Sequence, residues 1–253
     1  MKNTSFPGQE TTTLPACPVV HAPCGPVAGF REHGMEAFLS IPYAESTAGN
    51  RRFLPPEPKA RWEDPFDASR VGPRAMQNPS QWGPADMDCS EDCLHLSLWT
   101  PSADEQRRPV VVQIHGGAHC EGFSIDPFHN GPRFVRQDQI VFVSINYRLG
   151  VFGYLDVSRL LGVEYAQSGN NGLLDQIQAL RWVRDNISAF GGDPERVILM
   201  GQSAGAKSVG ALLLAPAAKG LFHGAILQSG AVQCVRDQQT ALRVTDLLTS
   251  ALS

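Results

Sequence analysis

Residues 196–214 constrain the fold more than any other stretch of the chain. Val197, Ile198, Leu199 and Met200 form a short apolar run, and Gly201, Gln202, Ser203, Ala204 and Gly205 follow it directly. Ala206 to Leu214 is then small and apolar and reads as a helix. A chain that passes from strand to helix this abruptly holds the central residue in a strained backbone region. Side chains two residues either way would collide with the turn, and glycine at 201 and 205 removes the collision. Ser203 therefore projects at the start of a helix, where free amides and the helix dipole favour developing negative charge. With 18 serines and 24 glycines, chance gives roughly one such pattern in six chains of this makeup, so the weight lies in the strand before it and the helix after it.

The surrounding pattern is of short apolar runs alternating with helical periodicity, which predicts parallel strands joined by crossover helices. Leu94–Thr100, Pro109–His115, Ile140–Asn146, Arg196–Met200 and Gly224–Gln228 are the expected strands. Leu173, Ile177, Leu180, Val183, Ile187 and Phe190 recur every three or four residues and predict a helix, which Gly191, Gly192 and Pro194 stop. Gln239–Leu252 reads as another helix. Upstream, the prolines between Gly25 and Phe66 exclude helices and leave short strands, Ala37–Ile41 the clearest, and Gly72–Asp92 reads as a long surface loop. Residues 1–18 show neither period and are expected to be a disordered leader, with one domain over 19–253.

A second glycine cluster, His115, Gly116, Gly117, Ala118, His119, ends the strand expected at Pro109–His115. Alone it reads equally well as a tight closing turn. Beside the Ser203 turn it reads as an anion cradle, because a tetrahedral acyl intermediate needs backbone amides that only glycine or alanine lets approach. Gly117, Ala118 and Ala204 are the candidate donors.

Composition removes several alternatives. The net charge is −4, with 17 Arg, 4 Lys and no run of like charge, which argues against nucleic acid as a partner. No signal-peptide core or membrane-length apolar run is present, so a cytoplasmic location is expected. Cys17, Cys24, Cys89, Cys93, Cys120 and Cys234 are too scattered for a zinc ribbon or a disulfide scaffold and are read as buried hydrophobes or free thiols. No metal or organic cofactor is expected.

Several motifs in order carry a family resemblance: Ser90–Cys93, Leu98–Pro101, His115–Ala118, Asn146–Gly153, Gly172–Gly205 and Gln228–Gly230. Over about Pro18 to Ser250 the chain resembles the type B carboxylesterase (cholinesterase-like) family. The resemblance implies an α/β-hydrolase fold, a mostly parallel central sheet with flanking helices. It further implies ester hydrolysis through an acyl-enzyme on Ser203, with the oxyanion held by Gly117, Ala118 and Ala204. Small or medium carboxylic esters are the implied substrates. Arg148 and Asp175 match positions that stabilise the fold, and Glu91 with Arg52 is expected to form a partly buried pair. Trp182 is read as core, and Trp82 as lining a gorge or standing exposed in its loop.

The match departs from the family in places. A serine hydroxyl needs a base, which the family supplies as a histidine held by an acid, both after the serine. Downstream of Ser203 stand only Asp237, Asp246 and His223, with no glutamate, and His223 precedes a strand that looks structural. His115 and His119 flank the glycine turn, but the family uses neither as base; His21, His33, His95 and His129 read as surface or packed residues. The expectation is that the sequence stops about halfway through the domain, after the strand Gly224–Gln228, with acid and histidine beyond residue 253. Gln202 stands where relatives place glutamate, and His119 where an aromatic is common. A disulfide ending at Cys93 is doubtful because no cysteine stands near Met76. The competing readings are a non-catalytic binding module and a fragment completed by a separate C-terminal chain.

Overall fold

The computed structural model describes residues 17–79, 88–125, 131–232 and 235–252. Residues 1–16 of the expected leader, with Trp82, His129 and Cys234, lie outside the described residues. In chain order the strands are β1 (Val19–Ala22), β2 (Gly25–Ala28), β3 (Phe30–Glu32), β4 (Met35–Pro42), β5 (Phe66–Asp67), β6 (Arg74–Ala75), β7 (Cys89–Ser90), β8 (His95–Thr100), β9 (Arg108–Ile114), β10 (Val141–Ile145), β11 (Gly192–Gln202) and β12 (Gly224–Gln228). The α-helices are α1 (Gly131–Asp138), α2 (Gly150–Tyr154), α3 (Ser158–Leu161), α4 (Asn171–Asn186), α5 (Ala204–Leu214) and α6 (Gln238–Leu252).

Seven strands form the central sheet in the order β12-β11-β9-β10-β8-β4-β3. The half that carries Ser203 is parallel, through β12/β11, β11/β9 and β9/β10. The other half is antiparallel, through β10/β8, β8/β4 and β4/β3. The strand expected among the parallel ones at Leu94–Thr100 is β8, which runs against β10. Its link to β9, residues 101–107, is too short for the crossover of a dozen or more residues that a parallel return requires. Between Gly25 and Phe66 the only helical turn is the 3₁₀ turn Gly49–Arg51.

The two faces of the sheet are buried differently. On one, Val110, Val112, Ile114, Val197 and Leu199 meet Ile177, Leu180 and Val183 of α4 and Val209 and Leu212 of α5. Trp182 joins this cluster, as expected for a core residue. On the other, Met200, Phe142 and Trp99 meet Val135 of α1. The alternation of Leu199 and Met200 between the clusters is the two-residue period of a strand. α4 continues into the 3₁₀ turn Ile187–Phe190, and Gly191, at φ +80°, ends it in the left-handed conformation glycine adopts without strain.

A buried ion pair fixes the segment after β10 to α4. Arg148 Nε and Nη2 donate to the two carboxylate oxygens of Asp175 at 2.8 and 2.7 Å, and the Arg148 amide adds a third bond at 3.0 Å. Arg148 Nη1 also donates to the Leu54 carbonyl at 2.8 Å. Arg52 and Glu91 form a two-pronged pair, Glu91 largely covered and Arg52 46% exposed. Among the described residues Cys17, Cys24, Cys89, Cys93 and Cys120 are free thiols, and no helix is long and apolar enough to cross a membrane.

Two outcomes are expected. Asp175→Asn leaves a buried guanidinium without its counter-charge and should cost about 3–5 kcal/mol, read by denaturant unfolding; a loss under about 1 kcal/mol would show that the pair is not structural. β12 is the outermost strand, with Ile226 44% exposed. The isolated 253-residue chain should therefore self-associate through this edge in light scattering, and a monodisperse monomer with a cooperative thermal transition would contradict it.

Candidate active site

Ser203 sits between the end of β11 and the first residue of α5 with φ +53° and ψ −116°, a conformation costly for any residue with a Cβ. Its neighbours leave no alternative path. A Cβ on Gly205 would lie 2.0 Å from the Ile114 carbonyl oxygen and 2.7 Å from that of His115. A Cβ on Gly201 would lie 2.4 Å from the backbone of Gly205. Both glycines of the pattern are thus required by backbone contact. The turn is also clamped from β12: the Ser203 amide donates to the Gln228 carbonyl at 2.8 Å, and a Cβ on Gly230 would stand 2.5 Å from the Ser203 carbonyl oxygen.

The second glycine cluster lies against this turn. A Cβ on Gly116 would be 2.5 Å from Gln202 Oε1 and 3.4 Å from Ser203 Cβ. Gly117 has φ +100°, and Ala118 and His119 continue in the left-handed region at +53° and +60°. The Gly117 carbonyl accepts from the amides of Cys120 and Glu121 at 2.9 and 3.0 Å, closing the loop. The amides of Gly117, Ala118 and Ala204 donate to no acceptor among the described residues. Ser203 and Gly117 are partly exposed and Ala118 is exposed, so the turn opens outward, whereas Ala204 is buried. The structure therefore sets the turn that carries Gly117 and Ala118 against the turn that carries Ser203 and Ala204, through Gly116.

Residues to which the sequence assigned no part in the site hold the turn in place. Gln77 makes paired hydrogen bonds with the backbone of Gly122, each 2.9 Å. The Tyr147 hydroxyl donates to the His115 carbonyl at 2.8 Å, and the two rings stack at 4.5 Å. The Asn146 side-chain oxygen accepts from the Ser124 amide at 2.7 Å. Gln77 lies in an irregular stretch where no periodicity could single it out.

The histidines separate by position. His223 bonds Val197 in the middle of β11, six residues before Ser203, Nδ1 accepting from the Val197 amide at 3.3 Å. At about 3.3 Å per residue, Val197 to Ser203 spans roughly 20 Å, so His223 cannot reach the serine. His115 is buried and its Nδ1 contacts the Gly116 carbonyl at 2.8 Å. His95 is buried against the Pro73 carbonyl at 2.7 Å, and burial lowers its pKa. His119 turns its ring onto Ser208 of α5, Nε2 to Oγ 3.2 Å. A shallow cleft lined by residues that include Arg52, Phe53, Glu91 and Phe152 lies elsewhere, with no wall from either glycine turn.

The sequence profile of the Carboxylesterase family matches residues 16–251. The chain belongs to the carboxylesterase family. It is 42% identical over 226 residues to the para-nitrobenzyl esterase of Bacillus subtilis (strain 168), covering 88% of this chain and 46% of that one. It is 44% identical over 218 residues to the phenmedipham hydrolase of Pseudarthrobacter oxydans, covering 84% and 43%. Among solved structures, a Geobacillus stearothermophilus carboxylesterase superposes with a TM-score of 0.85 at 45% identity, over 90% of this chain and 47% of that one. A thermophilic para-nitrobenzyl esterase superposes with a TM-score of 0.86 at 41% identity, over 92% and 48%. The fold is the α/β-hydrolase fold of these carboxylesterases, and the chain spans about half the length of the family members it matches.

The backbone at 203 yields a direct test. Ser203→Gly removes the Cβ from a left-handed residue and should stabilise the fold by about 1 kcal/mol relative to Ser203→Ala, which keeps the strain. Equal unfolding midpoints for the two variants would show that the turn is not strained.

Proposed function

We propose that this chain carries the nucleophile and oxyanion hole of a serine carboxylesterase acting on small or medium acyl esters. The observation that supports it is the strained, partly exposed Ser203 beside a turn whose Gly117 and Ala118 amides, with that of Ala204, have no protein acceptor among the described residues. Such donors suit an oxyanion, because they are already oriented and need no reorganisation when charge develops. The N-terminus of the eleven-residue α5 adds its dipole at the same place.

In the reaction proposed, Ser203 Oγ attacks the ester carbonyl carbon while a base takes its proton. The carbonyl oxygen becomes the oxyanion and receives hydrogen bonds from Gly117, Ala118 and Ala204. The intermediate collapses, the alcohol leaves with the proton, and water then releases the acid from the acyl-serine by the same steps in reverse. His223 is too far to be the base and His119 is engaged with Ser208, so we assign base and orienting acid to a segment beyond residue 253. The chemistry calls for no metal or organic cofactor.

In the protein as its cell makes it, a fluorophosphonate should label Ser203 and no other residue. Ser203→Ala should abolish labelling and lower hydrolysis of p-nitrophenyl acetate by at least about 10⁴-fold. A folded protein whose Ser203 stays unlabelled would overturn the esterase reading in favour of a binding module.

A further inference from the structure

His119 is the one titratable side chain on the Gly116–His119 segment, and its surroundings tie that segment to two helices. Its carbonyl accepts from the Gly150 amide at the start of α2, at 2.7 Å. Its ring lies on Tyr154 of the same helix, centroids 4.9 Å apart. Its Nε2 meets Ser208 Oγ of α5 at 3.2 Å, and Ser208 Oγ in turn accepts from Gln176 Nε2 of α4 at 3.1 Å. The carbonyl of Ala204, the residue next to Ser203, lies against the same ring. Ser208 and Gln176 are both buried and His119 is half-buried, so the inner end of this chain of contacts is shielded from water.

We propose that His119, in its neutral form, is a positioning residue that holds the Gly117–Ala118 half of the oxyanion hole in register with the Ala204 half. The inference rests on the esterase reading above. Gly117 and Ala118 stand on the glycine turn and Ala204 on α5, so their amides can converge only if turn and helix keep a fixed separation. The His119–Ser208 contact is the side-chain hydrogen bond that spans that gap.

Neutrality follows from the donor count. Ser208 Oγ already accepts from Gln176, which leaves its own proton to go to His119 Nε2 or to the neighbouring Tyr154 hydroxyl. A protonated ring has no acceptor nitrogen. Ser208 would then have to accept a second N–H and turn its own proton toward the Tyr154 hydroxyl, which reverses the direction of the His119–Ser208 bond and rearranges the tie. Burial holds the His119 pKa below its ordinary value, the Ala204 carbonyl acts in the opposite sense, and the Lys207 cation depresses it further. The other titratable groups on the elements packed around it are Tyr154 on α2, Cys120 and Glu121 on its own turn, and, on α4, the Asp175 carboxylate paired with Arg148 together with Arg181, Arg184 and Asp185. With its pKa held below the ordinary imidazole value, the ring favours the neutral form, and the tie is disturbed only as pH falls through that lowered value.

The test compares the parent protein, as its cell makes it, with His119→Gln, His119→Phe and Ser208→Ala, using p-nitrophenyl acetate across pH and fluorophosphonate labelling of Ser203. His119→Phe keeps an aromatic ring for Tyr154 but loses the Ser208 bond; it and Ser208→Ala should each lower kcat about ten-fold with KM within about two-fold. His119→Gln keeps an acceptor that cannot titrate. It should recover most of kcat, and its acid limb should lack one ionisation that the parent shows. If Ser203 labels in the parent but the acid limb is the same in parent and His119→Gln, or if His119→Phe retains full kcat, His119 is a packing residue and this inference falls alone. If Ser203 of the parent is never labelled, the esterase reading falls and this inference with it.

Discussion

The contact on which the rest of the site depends is that between the backbone of Gly205 and the end of β9. There α5 comes so close to the carbonyls of Ile114 and His115 that a single Cβ would not fit. Interiors are close-packed and do not yield by such amounts. The first turn of α5 is therefore seated on β9, and the chain leaving β11 has no route to it except through the left-handed conformation of Ser203. The same approach puts Gly116 beside Ser203, since the glycine turn leaves β9 at the point where α5 arrives. One backbone contact thus creates both the projecting hydroxyl and its nearness to free amides.

Strain at Ser203 persists only because its surroundings over-determine it. β12 supplies part of that through Gln228 and Gly230, which hold the Ser203 backbone from the side opposite the glycine turn. The segment between β10 and α4 supplies another part: Asn146 and Tyr147 brace the glycine loop, and the Arg148–Asp175 pair ties them to α4. α4 in turn reaches the site through Gln176 and Ser208. The buried polar groups form a continuous scaffold from the antiparallel half of the sheet to the serine, where an apolar core alone would not fix directions.

Much of this was legible in the residues. The pattern Gly201 to Gly205 marked the turn because its geometry tolerates so few residue types, and the heptad-like spacing from Leu173 to Phe190 marked α4 because one face of a helix must be apolar. β12 matched its expected residues, Gly224–Gln228, and α5 differed from its expected start by only two. The direction of β8 was not legible, since an apolar run of six residues is the same in either orientation and only the length of its connection speaks to the matter. Gln77 was silent as well: its bonds to Gly122 span residues 45 apart in sequence, and nothing local announces such a partner.

By itself, the sequence determined where the strained serine falls and which residues can approach it, because sterics at a strand-to-helix turn admit glycine and little else, while its motifs taken in order carried the resemblance to the carboxylesterases. Only the tertiary structure decided which histidines are available. His223 and His119 both stand within 85 residues of Ser203 along the chain, yet one is held beside Val197, half-way down β11, and the other is turned onto Ser208. The reason is that covalent neighbourhood sets local conformation, whereas the partner of a side chain is set by which elements the sheet order brings side by side.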